Sequence, residues 1–85
     1  MSRYYFDLRD PKEFLDQIGQ ELPDLTAARR EVVRLSGEIL REMPERLRDG
    51  ERWTMTVHDA AERDRITVEV TIREEAALPT RKRPA

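Results

Sequence analysis

Residues 24–42, DLTAARREVVRLSGEILRE, and residues 53–73, WTMTVHDAAERDRITVEVTIR, decide the fold of this chain. In the first stretch Leu25, Ala28, Val32, Leu35 and Ile39, with Met43 just past its end, recur at steps of three and four, so one face of a helix is apolar. Arg30, Arg34, Glu38 and Arg41 lie opposite. Arg34 with Glu38, and Glu38 with Arg41, stand at ion-pair spacing, each pair worth about 0.2–0.5 kcal/mol. Asp24, just after Pro23, is the expected N-cap. Pro44 disfavours helical geometry at Met43 and sets the stop. In the second stretch the period changes to two. Trp53, Met55 and Val57 alternate with Thr54, Thr56 and His58. Ile66, Val68, Val70 and Ile72 alternate with Thr67, Glu69 and Thr71. Asp59–Asp64 is a charged turn between them, which predicts an antiparallel hairpin with one apolar and one wet face.

Working outward, residues 44–52 are a polar connection ending in the turn signal Asp49-Gly50. Toward the N-terminus, Arg3–Arg9 alternates again: Tyr4, Phe6 and Leu8 on one face, Arg3, Tyr5, Asp7 and Arg9 on the other. Residues 11–22 admit two readings. Asp10 could cap a short helix with Pro11 and Glu13 in its first turn and Gly19 at its end. Alternatively Phe14–Asp16 folds back on the first strand. Residues 74–85 show no period and read as a flexible basic tail following a single domain over residues 1–73. The predicted class is α+β, two-layered, with one long helix across a three- to four-stranded antiparallel sheet.

The bulk numbers narrow the function classes. Eighty-five residues are one small domain, with 40% charged and 38% hydrophobic residues. A core of that size leaves little spare stability, and oligomerisation is a natural supplement. There is no cysteine, which excludes disulfides, thiolate metal sites and a cysteine nucleophile, and fits the cytosol. No apolar run reaches the ~20 residues of a membrane span. The opening, Met1 to Asp7, alternates and carries an acid, unlike a signal peptide. A net charge of −2 argues against a whole-surface attraction to nucleic acid. The bases are fourteen Arg and two Lys; this bias is read first as composition, though Arg also suits bidentate contacts.

The chemistry-bearing residues are scattered. His58 is the only histidine and falls on a wet strand face beside Asp59. Without a motif partner it reads as an exposed strand histidine rather than a base or ligand. Asp7 and Glu69 share the wet face and read as solvated carboxylates rather than an acid–base pair. Gly19, Gly37 and Gly50 form no phosphate loop. Tyr5 flanked by Arg3 and Arg9 could stack a base, but Asp7 interrupts the stripe. Arg81, Lys82 and Arg83 are the candidate phosphate contacts. Self-association has three routes: the Thr-rich sheet face (Thr54, Thr56, Thr67, Thr71 with Tyr5), a sheet edge, or a helix seam through Val33 and Leu40.

Arg3-Tyr4-Tyr5-Phe6-Asp7-Leu8-Arg9-Asp10, followed by Gly19-Gln20-Glu21-Leu22-Pro23-Asp24-Leu25 and Ala27-Ala28-Arg29, resembles a family of short alphaproteobacterial proteins named only as a domain of unknown function. Its members open with Arg-Tyr-Phe-Phe and run through Gly-x-Glu-Leu-Pro-Asp into an Ala/Arg-rich helix. The resemblance spans residues 3–73. It implies a β-β-α-β-β order, favours the strand reading of Phe14–Asp16, and supplies no catalytic residue. This chain departs from the pattern at residues 11–18, where the family has an acidic, Gly-containing turn. The Leu-Pro-Asp turn and helix start are also similar to small antitoxins of the HicB type. The Gly-x-Glu-Leu-Pro-Asp segment also has a purely structural reading: a positive φ at Gly19, a rigid approach at Pro23 and a cap at Asp24.

The expectation is therefore a small cytosolic bacterial protein without cofactor or metal, a non-enzymatic interaction module and homodimer with an unidentified protein partner still open. The first alternative is an antitoxin-like or nucleic-acid-associated regulator, and the second an enzyme of unknown type.

Overall fold

The structure is a computed structural model that describes residues 1–10, 12–45 and 47–76. Its elements are β1 (Ser2–Asp10), β2 (Lys12–Phe14), β3 (Gln20–Leu22), α1 (Leu25–Arg41), β4 (Arg52–Asp59) and β5 (Arg65–Thr71). All strands join one antiparallel sheet in the order β2-β1-β4-β5, with β3 also pairing with β1. One helix packs on one face of this sheet, so the expected two-layer α+β architecture holds. The second strand of the β-β-α-β-β order is divided in two. Neither reading of residues 11–22 was complete: β2 stops at Phe14, Asp16 lies outside any strand, and no helix forms among the described residues 12–22.

The alternation in β1, β4 and β5 sets which side chains meet α1. Trp53 and Val57 are fully buried, with Met55 and Tyr4 nearly so, and Phe6, Leu8, Ile66, Val68 and Val70 pack around them. On the helix the buried line is Ala28, Val32 and Ser36, at steps of four. Leu25, Leu35, Ile39 and Met43 flank it half-buried. The buried Ser36 hydroxyl donates to the Val32 carbonyl at 2.6 Å and is satisfied within the helix. Small side chains along this line let the helix approach Met55 and Trp53. Among the described residues the Trp53 indole Nε1–H has no acceptor, although the ring is fully buried. Such an orphan donor costs about 1–3 kcal/mol, set against the large apolar area the ring buries.

The Asp24 carboxylate accepts from the Ala27 N–H at 2.9 Å and caps α1, whose first residue, Leu25, is also the first of the apolar period. The helix ends at Arg41, with the Glu42 N–H donating to the Ile39 carbonyl at 3.1 Å and the Met43 N–H to the Leu40 carbonyl at 3.2 Å. Glu31, Arg34 and Glu38 form an ion-pair ladder on the outer side; the Glu31–Arg34 pair, at 2.6 Å, was not foreseen. The Arg34 guanidinium beside Glu31 holds that carboxyl below its ordinary pKa, with partial burial opposing and the Gln20 side chain assisting. Beyond β5 the chain does not leave the domain at residue 74: the Glu74 N–H donates to Asp49 at 2.6 Å.

Candidate functional site

The sheet face away from α1 carries the odd residues of β1 and the even residues of β4, and register brings them together. Tyr5 lies opposite His58, and Asp7 opposite Thr56. The step from Asp7 to His58 is thus a diagonal cross-strand contact, within reach of two long polar side chains. Asp7 Oδ2 accepts from His58 Nε2 at 2.9 Å. His58 Nδ1 lies 3.1 Å from the Asp59 carbonyl and 4.0 Å from Glu62. Tyr5 stacks on the imidazole, with ring centroids 5.8 Å apart and planes at 27°. The side chain of His58 is 13% exposed, which corrects the expectation of a solvated strand histidine.

Both ring nitrogens of His58 face groups that only accept. A neutral imidazole has one N–H and serves one of them; the imidazolium serves both. The geometry therefore favours the charged ring. Burial works against that charge. The Asp59 carbonyl, the Asp7 carboxylate and the nearby Glu62 outweigh it and hold the pKa above its ordinary value. Glu62 reaches this position from a left-handed backbone conformation, φ 55°, which is uncommon for a side-chain-bearing residue. It also pairs with Arg65 at 3.3 Å.

The network continues away from the sheet. Asp7 Oδ1 accepts from the Asp16 N–H at 3.0 Å. The Asp16 carboxylate accepts from the N–H groups of Phe6 (3.1 Å), Ile18 (3.0 Å) and Gly19 (3.0 Å). Partial burial would raise its pKa, but those three N–H groups and the Arg3 charge prevail and hold it below the ordinary carboxylate value. Asp16 thereby fills a gap. β1 pairs through Tyr4 with Gln20 and through Leu8 with Phe14, and the N–H of Phe6, midway between, has no strand partner. The carboxylate takes its place. Gly19 makes the return tight: its φ is +76°, and a Cβ there would stand 2.8 Å from Arg3 Cγ and 3.0 Å from the Tyr4 carbonyl oxygen. Arg3 ties the same loop by donating to the Ile18 carbonyl at 2.6 Å and pairing with Glu21 at 3.2 Å.

Around this network the outer face holds two adjoining hollows of about 400 Å³ each, sharing Asp7, Leu15 and Glu62. The first is walled by Arg9, Glu13 and Arg65, the second by Tyr5, Asp16 and His58. The walls mix both charges. A histidine oriented by a carboxylate supplies two members of a nucleophilic triad, but the aliphatic hydroxyl beside them, that of Thr56 opposite Asp7, is bonded to Thr67 at 2.9 Å. Among the described residues no group of three His, Asp or Glu side chains is arranged to hold a metal ion.

The remaining candidates are dispersed. Glu69 stands near Arg52 at 3.8 Å, with β4 between it and Asp7, so these acids form no pair. Val33 is 59% exposed on α1, whereas Leu40 packs at the margin of the core. Arg81, Lys82 and Arg83 lie outside the described residues. The Asp7–His58–Asp16 network went unseen because its members are separated by up to 51 positions and share no motif. The one available sign was parity: Tyr5, Asp7 and His58 all fall on wet strand faces.

This is a two-layer domain with a half-buried polar network on its uncovered face. Residues 3–76 match the family model described as domain of unknown function DUF6894, and the chain belongs to that family. No curated protein and no solved structure matches it. Among the described residues no helix is long and apolar enough to cross a membrane.

Proposed function

We propose that this protein is a non-enzymatic interaction module, a cytosolic bacterial homodimer that presents the helix-free side of its sheet to a partner. The observation that carries this reading is the state of the polar groups on that side. Asp7 binds both His58 and the Asp16 N–H, both His58 nitrogens are engaged, and Asp16 holds three backbone N–H groups. Groups tied this way stiffen a surface and are poorly placed to exchange protons with a substrate. The absence of cysteine supports the cytosolic setting.

The direct test is the mass of the full chain in solution as concentration rises. A rise from one to two chains is expected, and a single-chain mass throughout would refute the homodimer. The nucleic-acid alternative rests on Arg81, Lys82 and Arg83 and has no described geometry behind it. Salt-sensitive binding of a DNA duplex would bring it forward.

A further inference from the structure

The two outer strands of the sheet differ in what their backbone groups meet. On β1 every stretch of the side away from β4 is served, by β2, by Asp16 or by β3. On β5 no strand pairs with the side away from β4 among the described residues. Ile72 donates to Glu51 and accepts from Gly50, so the even-numbered residues of this strand turn their N–H and C=O groups toward β4. Antiparallel alternation then turns those of Arg65, Thr67, Glu69 and Thr71 outward. This edge has seven residues with neither proline, glycine nor lysine, and its charges, Arg65 and Glu69, are of opposite sign.

The edge is also complementary to itself. A second β5 laid antiparallel with Thr67 opposite Thr67 places Arg65 opposite Glu69 twice, on the outer face. The same register sets Ile66 opposite Val68 on the helix face, where both are half-buried. Three outward-facing pairs, Arg65 with Glu69, Thr67 with Thr67 and Glu69 with Arg65, would close about six backbone hydrogen bonds. Shifting the centre to Glu69 sets Glu69 against itself and Arg65 against Arg73, which disfavours that register. Arg65 and Glu69 now make only exposed pairs, with Glu62 at 3.3 Å and Arg52 at 3.8 Å, and give these up at little cost.

We propose that β5 is the self-association surface, pairing antiparallel with β5 of a second copy about Thr67. This rests on the module reading and chooses the sheet edge over the helix seam and the Thr-rich face. The test is sedimentation of the full chain and its variants. Arg65→Glu or Glu69→Arg alone replaces both attractions with like-charge contacts and should weaken the dimer about tenfold. The double variant should recover it, and mixing the two single variants should yield a mixed dimer tighter than either alone. Thr67→Pro, which removes an outward N–H while leaving the β4 bonds intact, should give a monomer with unchanged far-ultraviolet dichroism. A dimer indifferent to all of these overturns the β5 assignment and leaves the module reading standing. So does a dimer lost instead when the exposed Phe14 and Ile18 of the opposite edge are changed to serine. A wild-type chain that stays monomeric overturns both.

Discussion

The two edges of this sheet are finished by opposite means. At β1 the chain folds back on itself at once: two three-residue strands and one carboxylate cover nine residues of backbone. At β5 the strand runs open for seven residues. The difference teaches where this small domain keeps its specificity. Its closed edge is made of polar bonds that depend on individual atoms of Asp16 and Gly19. Its open edge depends on an alternation that many residues could supply, with Arg65 and Glu69 as its charged members. The closed edge is not bland outside, since Phe14, Leu15 and Ile18 are exposed there.

Substitutions should separate these edges by the size of their effect. Gly19→Ala is the most severe. It combines a left-handed φ with a Cβ at 2.8 Å from Arg3 Cγ, and should cost about 2–4 kcal/mol in urea unfolding. A cost under ~1 kcal/mol would show that the loop yields easily and that the closed edge is soft. Asp16→Ala removes three accepted N–H bonds from a partly exposed site and should cost about 1–3 kcal/mol. Its signature is local: the Phe6 amide should lose protection from hydrogen exchange while the Met55 amide in β4 keeps it. Equal loss at both amides would mean that the edge and the core open as one unit.

The pH response comes next and has two limbs. The raised His58 pKa contributes stability that is fully present below its unfolded value near 6.5 and is lost as pH rises through the folded value. The lowered Asp16 pKa contributes stability present above its unfolded value near 3.8 and lost as pH falls through the folded one. Thermal midpoints should therefore decline on both sides. His58→Gln should erase the alkaline limb alone, and an alkaline limb that survives this change would disprove the imidazolium clamp. The smallest effect belongs to the open side: Thr56→Val breaks one exposed hydroxyl pair with Thr67 and should shift stability by less than ~1 kcal/mol. A larger loss would mean that the outer face bears on stability.

Much of the architecture was legible because burial enforces period. Tyr4, Trp53, Met55 and Val57 alternate since one sheet face must meet the helix, and Ala28 and Val32 recur because one helix face must meet the sheet. Asp24 and Pro44 marked the helix ends by local backbone chemistry. Ser36 escaped notice because its hydroxyl is satisfied by a carbonyl four residues earlier, which composition does not reveal. Residues 12–22 escaped it for a related reason. Their structure comes from the unmet N–H of Phe6, a demand created by the β1 register and answered by a side chain ten positions away.

The sequence by itself determined the helix, the three long strands and the faces they bury, because those follow from repeating positions within one segment. Only the tertiary structure decided that His58 is clamped rather than solvated, that Asp7 joins the hairpin to the loop at residues 15–19, and that one edge is sealed while the other is open. These are contacts between segments far apart in the chain. They depend on which residues the register sets side by side, and a diagonal pair such as Asp7 and His58 exists only once β1 and β4 have docked.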